Sequence, residues 1–72
     1  MDLIEITEKE RLKREDVAAR LRTLADMLAR HNDVEFDRGG MHFKVRVPDH
    51  VDYKLEIEIE DDGCEVEIEI KW

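Results

Sequence analysis

The stretch that decides the fold is residues 53–72, YKLEIEIEDDGCEVEIEIKW. On each side of the DDG sequence at 61–63, apolar residues alternate strictly with charged ones, most of them glutamate. Because successive side chains of a β-strand point to opposite faces, this period of two predicts two long strands, each apolar on one face and charged on the other. The Asp62-Gly63 pair is typical of a two-residue hairpin turn, so we expect the strands to pair antiparallel.

The register of this hairpin is constrained by its apolar residues, since a slip by one residue would place isoleucine opposite glutamate. A turn on Asp62-Gly63 pairs Ile59 with Val66, Ile57 with Ile68, Leu55 with Ile70 and Tyr53 with Trp72. The same register sets Glu60 against Glu65, Glu58 against Glu67 and Glu56 against Glu69. Like charges directly opposite each other are destabilising, and no basic strand is assigned to the column formed by Glu65, Glu67 and Glu69. The first strand, a second copy, an ion or water alone would then offset its charge.

Residues 14–30, REDVAARLRTLADMLAR, have the period of an amphipathic helix. Their main apolar positions are spaced four, three and four residues apart and form one stripe, Val17, Leu21, Leu24 and Leu28. Such a stripe predicts a helix that lies on a core. We expect Lys13, a poor capping residue, at the N-cap, and Asn32 in the left-handed conformation that ends a helix.

Three further segments have the pattern of short strands. Residues 34–36 and 41–47 alternate apolar with polar side chains on either side of the DRGG turn at 37–40, and Pro48 ends the second of them because it lacks a donor for the ladder. Leu3 to Thr7 predicts a short first strand, in which Ile4 and Ile6 share a face.

These elements together predict a single α+β domain over residues 1–72. We expect one amphipathic helix packed on one face of a four- or five-stranded antiparallel sheet, in the order strand-helix-strand-strand-strand-strand. In that sheet, the basic side chains of the strand at 41–47 would neighbour the glutamates of the strand that begins at Tyr53; they are His42, Lys44 and Arg46. The first strand fits either the edge beside Glu65–Glu69 or the edge beside Val34–Phe36.

The charge of the chain is concentrated at its C-terminal end. Its 72 residues include 20 acidic and 12 basic side chains, a formal net charge of −8, and residues 1–48 hold ten of each. All of the excess therefore lies in residues 49–72. This balance argues against direct binding of nucleic acid, which requires positive charge on the protein.

Size and hydropathy exclude further classes. No apolar run is long enough to span a bilayer, and the N-terminal residues lack the layout of a signal peptide, so we expect a cytoplasmic protein without membrane contact. Cys64 is the single cysteine, which excludes an intrachain disulfide. A domain of this size hides only about 60% of its unfolded surface, so dimerisation would help to stabilise it.

The hairpin sequence YKLEIEIEDDGCEVEIEIKW, with its terminal tryptophan, resembles the Amphi-Trp domain family. The resemblance extends upstream, because a short strand, the helix REDVAARLRTLADMLAR, a Gly-rich turn and three alternating strands follow the order of that family. Family members often carry serine at the helix cap, where this chain has Lys13. The resemblance implies a small cytoplasmic prokaryotic domain without an assigned biochemical activity, and it supplies no catalytic residues.

Catalysis has little support in the sequence. There is no serine, and the acid-rich surroundings of Cys64 do not favour a reactive thiolate, so we expect neither an enzyme nor a cofactor. An alternative is a divalent-metal-binding or minor enzymatic role of the carboxylate-rich sheet face. The metal candidates surround the turn and are Glu60, Asp61, Asp62 and Glu65.

Charge complementarity indicates an interaction module. Residues 9–22 carry a net charge of +3, whereas the last hairpin is strongly acidic. We therefore expect self-association, as a homodimer, or capture of a basic protein partner. The candidate residues are Glu56, Glu58, Glu65, Glu67, Glu69, Arg11, Arg14 and Trp72. Trp72 either seals the core opposite Tyr53 or is an exposed aromatic anchor for a partner.

Overall fold

The computed structural model describes residues 4–30 and 32–72, which form one helix and four antiparallel strands. Helix α1 spans Arg14–Arg30, and the strands are β1 Asp33–Arg38, β2 Met41–Arg46, β3 Asp52–Glu60 and β4 Gly63–Lys71. The α+β class is therefore confirmed. The prediction of a single sheet is wrong, because β1 pairs with β2 and β3 pairs with β4 in two separate two-stranded sheets.

Helix α1 has the bounds that its apolar stripe predicts. The carbonyl of Lys13 accepts hydrogen bonds from the backbone N–H groups of Asp16, at 3.0 Å, and Val17, at 3.2 Å, as an N-cap carbonyl does. At the other end, Asn32 has a φ of 55°, in the left-handed region that ends helices. The next segment turns back along the helix, and β1 packs against α1.

The hairpin β1–β2 is closed by Gly39 and Gly40, whose φ angles are 58° and 78°. Both central residues of a type I′ turn require positive φ, which glycine adopts without a steric penalty. The resulting register places Phe36 opposite Phe43, and the two rings stack with centroids 5.2 Å apart. The turn chemistry thus fixes an aromatic pair on the same face of the hairpin as Val34.

The hairpin β3–β4 differs from the predicted register by two residues. Glu60 pairs with Gly63, so the turn lies on Asp61 and Asp62, and no residue of this turn has positive φ. The apolar pairs are Tyr53 with Ile70, Leu55 with Ile68, Ile57 with Val66 and Ile59 with Cys64. A shift by two keeps the apolar face intact, because side-chain direction repeats every second residue.

Electrostatics gives the physical reason for that shift. The predicted register opposes three pairs of glutamates, whereas the observed one opposes two, Glu58 with Glu65 and Glu56 with Glu67. Glu69 instead lies opposite Lys54. The observed register therefore replaces a repulsive pair with an attractive one and leaves Glu60 opposite a glycine.

The predicted first strand is absent from the described part of the chain. Residues 4–13 have no regular secondary structure, and Leu3 lies outside the described residues. Ile6 instead lies beside Met41 and Phe43, where it helps to line a shallow groove. The edge beside Glu65–Glu69 therefore receives no strand from residues 4–13. No helix in the described ranges has the length and hydropathy needed to cross a membrane.

The apolar faces of the chain remain open. Within residues 4–30 and 32–72 no side chain is buried, and the accessible surface is 7176 Å². A compact monomer of 8.6 kDa exposes about 4,700 Å², so this chain exposes about 2,500 Å² more than its mass requires. The expected core under the helix is thus only partly formed.

Candidate interaction surfaces

One side of the β3–β4 hairpin is an open apolar surface, here called the hairpin apolar face. It is formed by Tyr53, Leu55, Ile57, Ile59, Cys64, Val66, Ile68 and Ile70. From Leu55 to the turn, exposure along β3 rises from 48% at Leu55 to 63% at Ile57 and 79% at Ile59, and Tyr53 at the other end of the strand is 65% exposed. The half of the face nearer the turn is therefore covered least.

The other end of this face meets the helix across an apolar groove of about 370 Å³. The groove is lined by Leu21, Leu24, Leu28, Val34, Val45, Ile68, Ile70 and Trp72. These residues include three of the four positions of the predicted helix stripe. The groove is the partly closed core between α1, the β1–β2 hairpin and β4.

Trp72 lies at the rim of this groove and is 54% exposed. The predicted pairing of Trp72 with Tyr53 is wrong, since Tyr53 pairs with Ile70 and Trp72 follows the last paired residue of β4. The two-residue shift in register moves the indole past the end of the ladder. Trp72 is accordingly neither enclosed in a core nor fully projected into solvent.

The opposite side of the same hairpin, here called the acidic face, carries Glu56, Glu58, Glu60, Glu65, Glu67 and Glu69. A hydrogen bond with Glu65 and the negative charge of Glu65 raise the pKa of Glu67, and Lys54 partly offsets this. The Lys54 ammonium lies 3.4 Å from a carboxylate oxygen of Glu56, and that of Lys71 lies 3.9 Å from Glu69. The six glutamates of the acidic face therefore have only two lysines, Lys54 and Lys71, as ion-pair partners among the described residues.

The raised pKa of Glu67 sets the direction of one pH effect. At pH values between the ordinary and the raised pKa, Glu67 binds more protons in the folded hairpin than in the unfolded chain. The contact between Glu65 and Glu67 therefore destabilises the fold at neutral pH and ceases to do so as the pH falls. We expect Glu67→Gln to raise the Tm at about pH 7, and this advantage to vanish below about pH 3, where glutamates are protonated in both the folded and the unfolded chain.

Thermal unfolding followed by circular dichroism across that pH range measures the effect. Glu60→Gln is the matched control, because it removes a charge from the same face at a position opposite Gly63. An equal rise in Tm for both variants would show that net charge, and not the Glu65–Glu67 contact, is responsible.

The β1–β2 hairpin neutralises its own charges. Its polar rungs are Asp33 with Arg46, Glu35 with Lys44 and Asp37 with His42. The Lys44 ammonium lies 3.6 Å from Asp33 and 3.7 Å from Glu35, and His42 Nδ1 lies 2.7 Å from Asp37 Oδ1. The prediction that these basic side chains neighbour the β3 glutamates is wrong, because β2 and β3 do not pair.

The basic segment at 9–22 is partly engaged within the chain. Arg20 contacts the carboxylates of Glu8 and Glu10. The hydrogen bond that Arg20 donates to Glu10 and the negative charge of Glu10 raise the pKa of Arg20. Arg14 is exposed at the start of α1, 3.9 Å from Glu15, and Arg11 is exposed just before the helix. Neither Arg11 nor Arg14 forms an ion pair with the described acidic face.

The metal candidates around the turn are only partly brought together. A shallow cavity of about 260 Å³ lies at this end of the hairpin and is lined by Glu58, Glu60, Asp62, Gly63, Cys64 and Glu65. Asp61 does not line it. In the ranges that the structure describes, no three histidine, cysteine, aspartate or glutamate side chains are grouped so that they could hold one metal ion.

Comparison with models of known protein families shows the family of the chain. The model of the Amphi-Trp domain matches residues 2–72, essentially the whole chain. The chain belongs to the Amphi-Trp domain family. No curated protein and no solved structure gives a significant match. The family assignment thus carries no catalytic or ligand-binding residue to this Amphi-Trp domain.

Sequence reasoning missed one feature of this Amphi-Trp domain, the charge pairing within β1–β2. The signal is present in the sequence, because a two-residue turn on Gly39 and Gly40 aligns the acids of β1 with the bases of β2. The open hairpin apolar face has no such signal, since alternation shows that a face is apolar but not what covers it.

Proposed function

We propose that this chain is a non-enzymatic interaction module that associates with itself through its apolar surfaces. The observation that carries the proposal is the excess accessible surface, about 2,500 Å² above that of a compact monomer, together with the absence of buried side chains in residues 4–30 and 32–72. Contiguous exposed apolar patches of several hundred Å² mark interaction sites in soluble proteins.

The area is sufficient for a stable contact. A standard protein interface covers about 800 Å² on each partner, which is about a third of the excess surface of this chain. An isolated two-stranded hairpin is at best marginally stable in water, so covering β3–β4 also stabilises the fold itself. Self-association and folding are therefore expected to be linked.

Sedimentation velocity over a range of protein concentrations tests self-association. We expect a dimer at micromolar concentration, and we expect it to persist at high salt, because apolar contact is not weakened by screening of charge. The same experiment at low and high salt separates this contact from one steered mainly by opposite charges, which would dissociate as salt is added. A monomer at every concentration and salt would reject the proposal.

A second candidate function is capture of a basic protein partner by the acidic face. The observation that favours it is the contrast between the two hairpins: β1–β2 pairs its charges internally, whereas β3–β4 opposes glutamates and raises the pKa of Glu67. A cationic segment would relieve that repulsion. Isothermal titration with a lysine-rich peptide at low salt tests it, and an absence of heat at low salt would exclude this candidate.

The proposed roles do not include metal binding or catalysis. The carboxylates follow an exposed strand face in register instead of converging on one point, and the described residues offer no cluster of three metal ligands. The family match likewise assigns no catalytic residue to the chain. The self-associating module therefore has the stronger structural support.

A further inference from the structure

We propose that the occupant of the hairpin apolar face is the same face of a second copy, stacked face to face about a two-fold axis with the two hairpins antiparallel. This inference rests on the proposed self-association and specifies which surface mediates it. It assigns the contact to β3–β4, and not to the helix or to the β1–β2 hairpin.

The exposure of the hairpin locates the contact along the strand. Near the helix, Ile68 and Ile70 line the groove with α1, so this end of the face is partly covered by the chain itself. Toward the turn, Ile59 is 79% exposed and Val66 is 64% exposed. The centre of the uncovered stretch is the pair Ile57–Val66, and we place the two-fold axis there.

Charge determines that two copies meet by their faces and not by their edges. Strands paired along an edge lie about 4.8 Å apart, which would bring glutamate columns of two copies side by side, and such like-charge neighbours are destabilising. Sheets stacked by their apolar faces lie about 10 Å apart with their charged side chains pointing outward. The acidic face therefore permits face-to-face stacking and opposes edge-to-edge pairing.

The same reasoning selects the antiparallel arrangement. In a parallel stack, Asp61 and Asp62 of both copies would meet at one end, and the two helices would crowd together at the other. In an antiparallel stack, the acidic turns of the two copies lie at opposite ends of the contact, each toward the end of the partner's hairpin where Ile68 and Ile70 line the groove with α1. Both the repulsion between turns and the crowding of helices are then avoided.

This arrangement encloses Cys64, which provides a native probe. Cys64 lies on the hairpin apolar face opposite Ile59 and is exposed in the single chain. It is one rung, about 6.7 Å, from the proposed axis. In the dimer its thiol would therefore lie against the partner's hairpin, out of contact with solvent.

Alkylation of Cys64 by iodoacetamide in the unmodified protein provides the first test. When about nine in ten chains are dimeric, we expect the rate to be about tenfold lower than in dilute monomer, because only the monomer reacts. An unchanged rate in a sample that sedimentation shows to be dimeric would overturn the face-to-face contact while leaving self-association intact. Protection in a monomer would show that the hairpin closes on its own helix, and would overturn both proposals.

A matched pair of variants provides the second test. Ile57→Lys places a charge at the proposed axis, whereas Glu58→Lys places the same residue one position along, on the acidic face. We expect Ile57→Lys to be monomeric with a fully reactive Cys64, and Glu58→Lys to remain dimeric. Circular dichroism establishes that each variant is folded. Dimers of folded Ile57→Lys would assign the interface to another surface.

Discussion

Replacing Leu24 with aspartate is expected to abolish stable folding of the chain at room temperature. Leu24 is half-buried and lines the groove beside β4. It is also the one residue of that groove's helix side that lines a second groove, where Val34 and Phe36 of β1 lie. The substitution removes apolar contact on both sides and places a carboxylate between them. We expect a loss of about 3 kcal/mol, most of the stability of a small marginal domain.

Urea denaturation followed by far-ultraviolet circular dichroism measures this loss. The matched control is Ala19→Asp, which introduces the same side chain on the exposed face of α1. We expect the control to cost well under 1 kcal/mol, the usual range for exposed helix positions. Equal losses in the two variants would contradict the packing of α1 on its Leu24 side.

A charge reversal on β4 distinguishes the observed register from the one that the turn sequence predicts. Glu69 lies opposite Lys54, so Glu69→Lys opposes two lysines and is expected to lower the Tm. Glu58 lies opposite Glu65, so Glu58→Lys creates an attractive pair. We expect Glu58→Lys to stabilise the chain by about 1 kcal/mol, a rise in Tm of about 4–8 °C.

The two variants carry the same change in net charge on the same face, so each controls for the other. Differential scanning calorimetry at low salt gives both Tm values under conditions where screening is weak. In the register closed on Asp62-Gly63, Glu69 would face Glu56, and Glu69→Lys would then raise the Tm. A rise for both variants would therefore contradict the observed pairing.

The helix was the most predictable element, and the reason is physical. The stripe from Val17 to Leu28 repeats with the helical period over several turns, so its face and its ends are both specified by local sequence. The left-handed conformation of Asn32 was predictable from the same local rules. The short segment at 4–7 has two alternating isoleucines but lacks a ladder, because a strand requires a partner that the local sequence cannot supply.

The register of β3–β4 was predictable only to within two residues. Alternation of apolar and acidic residues excludes a shift by one, since that would reverse the faces, but every shift by two preserves them. The choice between the remaining registers depends on which charges become opposed. The position of Lys54 decides it, because the observed register places this lysine opposite Glu69.

The arrangement of the two hairpins could not be predicted from local sequence. Strand patterns predicted one sheet under the helix, but the segment from Val47 to Val51, which contains Pro48, joins β2 to β3 without pairing them. The candidate glutamates lie on one face of one hairpin, as their alternation with apolar residues predicts. What the sequence could not reveal is that the apolar side of the same hairpin remains uncovered in the single chain.

One backbone hydrogen bond links helix α1 to the β1–β2 hairpin. The N–H of Val47 donates to the carbonyl of Asn32 at 2.8 Å, so the residue that ends α1 also closes the base of the β1–β2 hairpin. Helix and first hairpin are thereby expected to open as one cooperative unit, while β3–β4 opens separately at lower cost. Amide hydrogens would accordingly exchange in two groups, and assembly would slow exchange chiefly in the second.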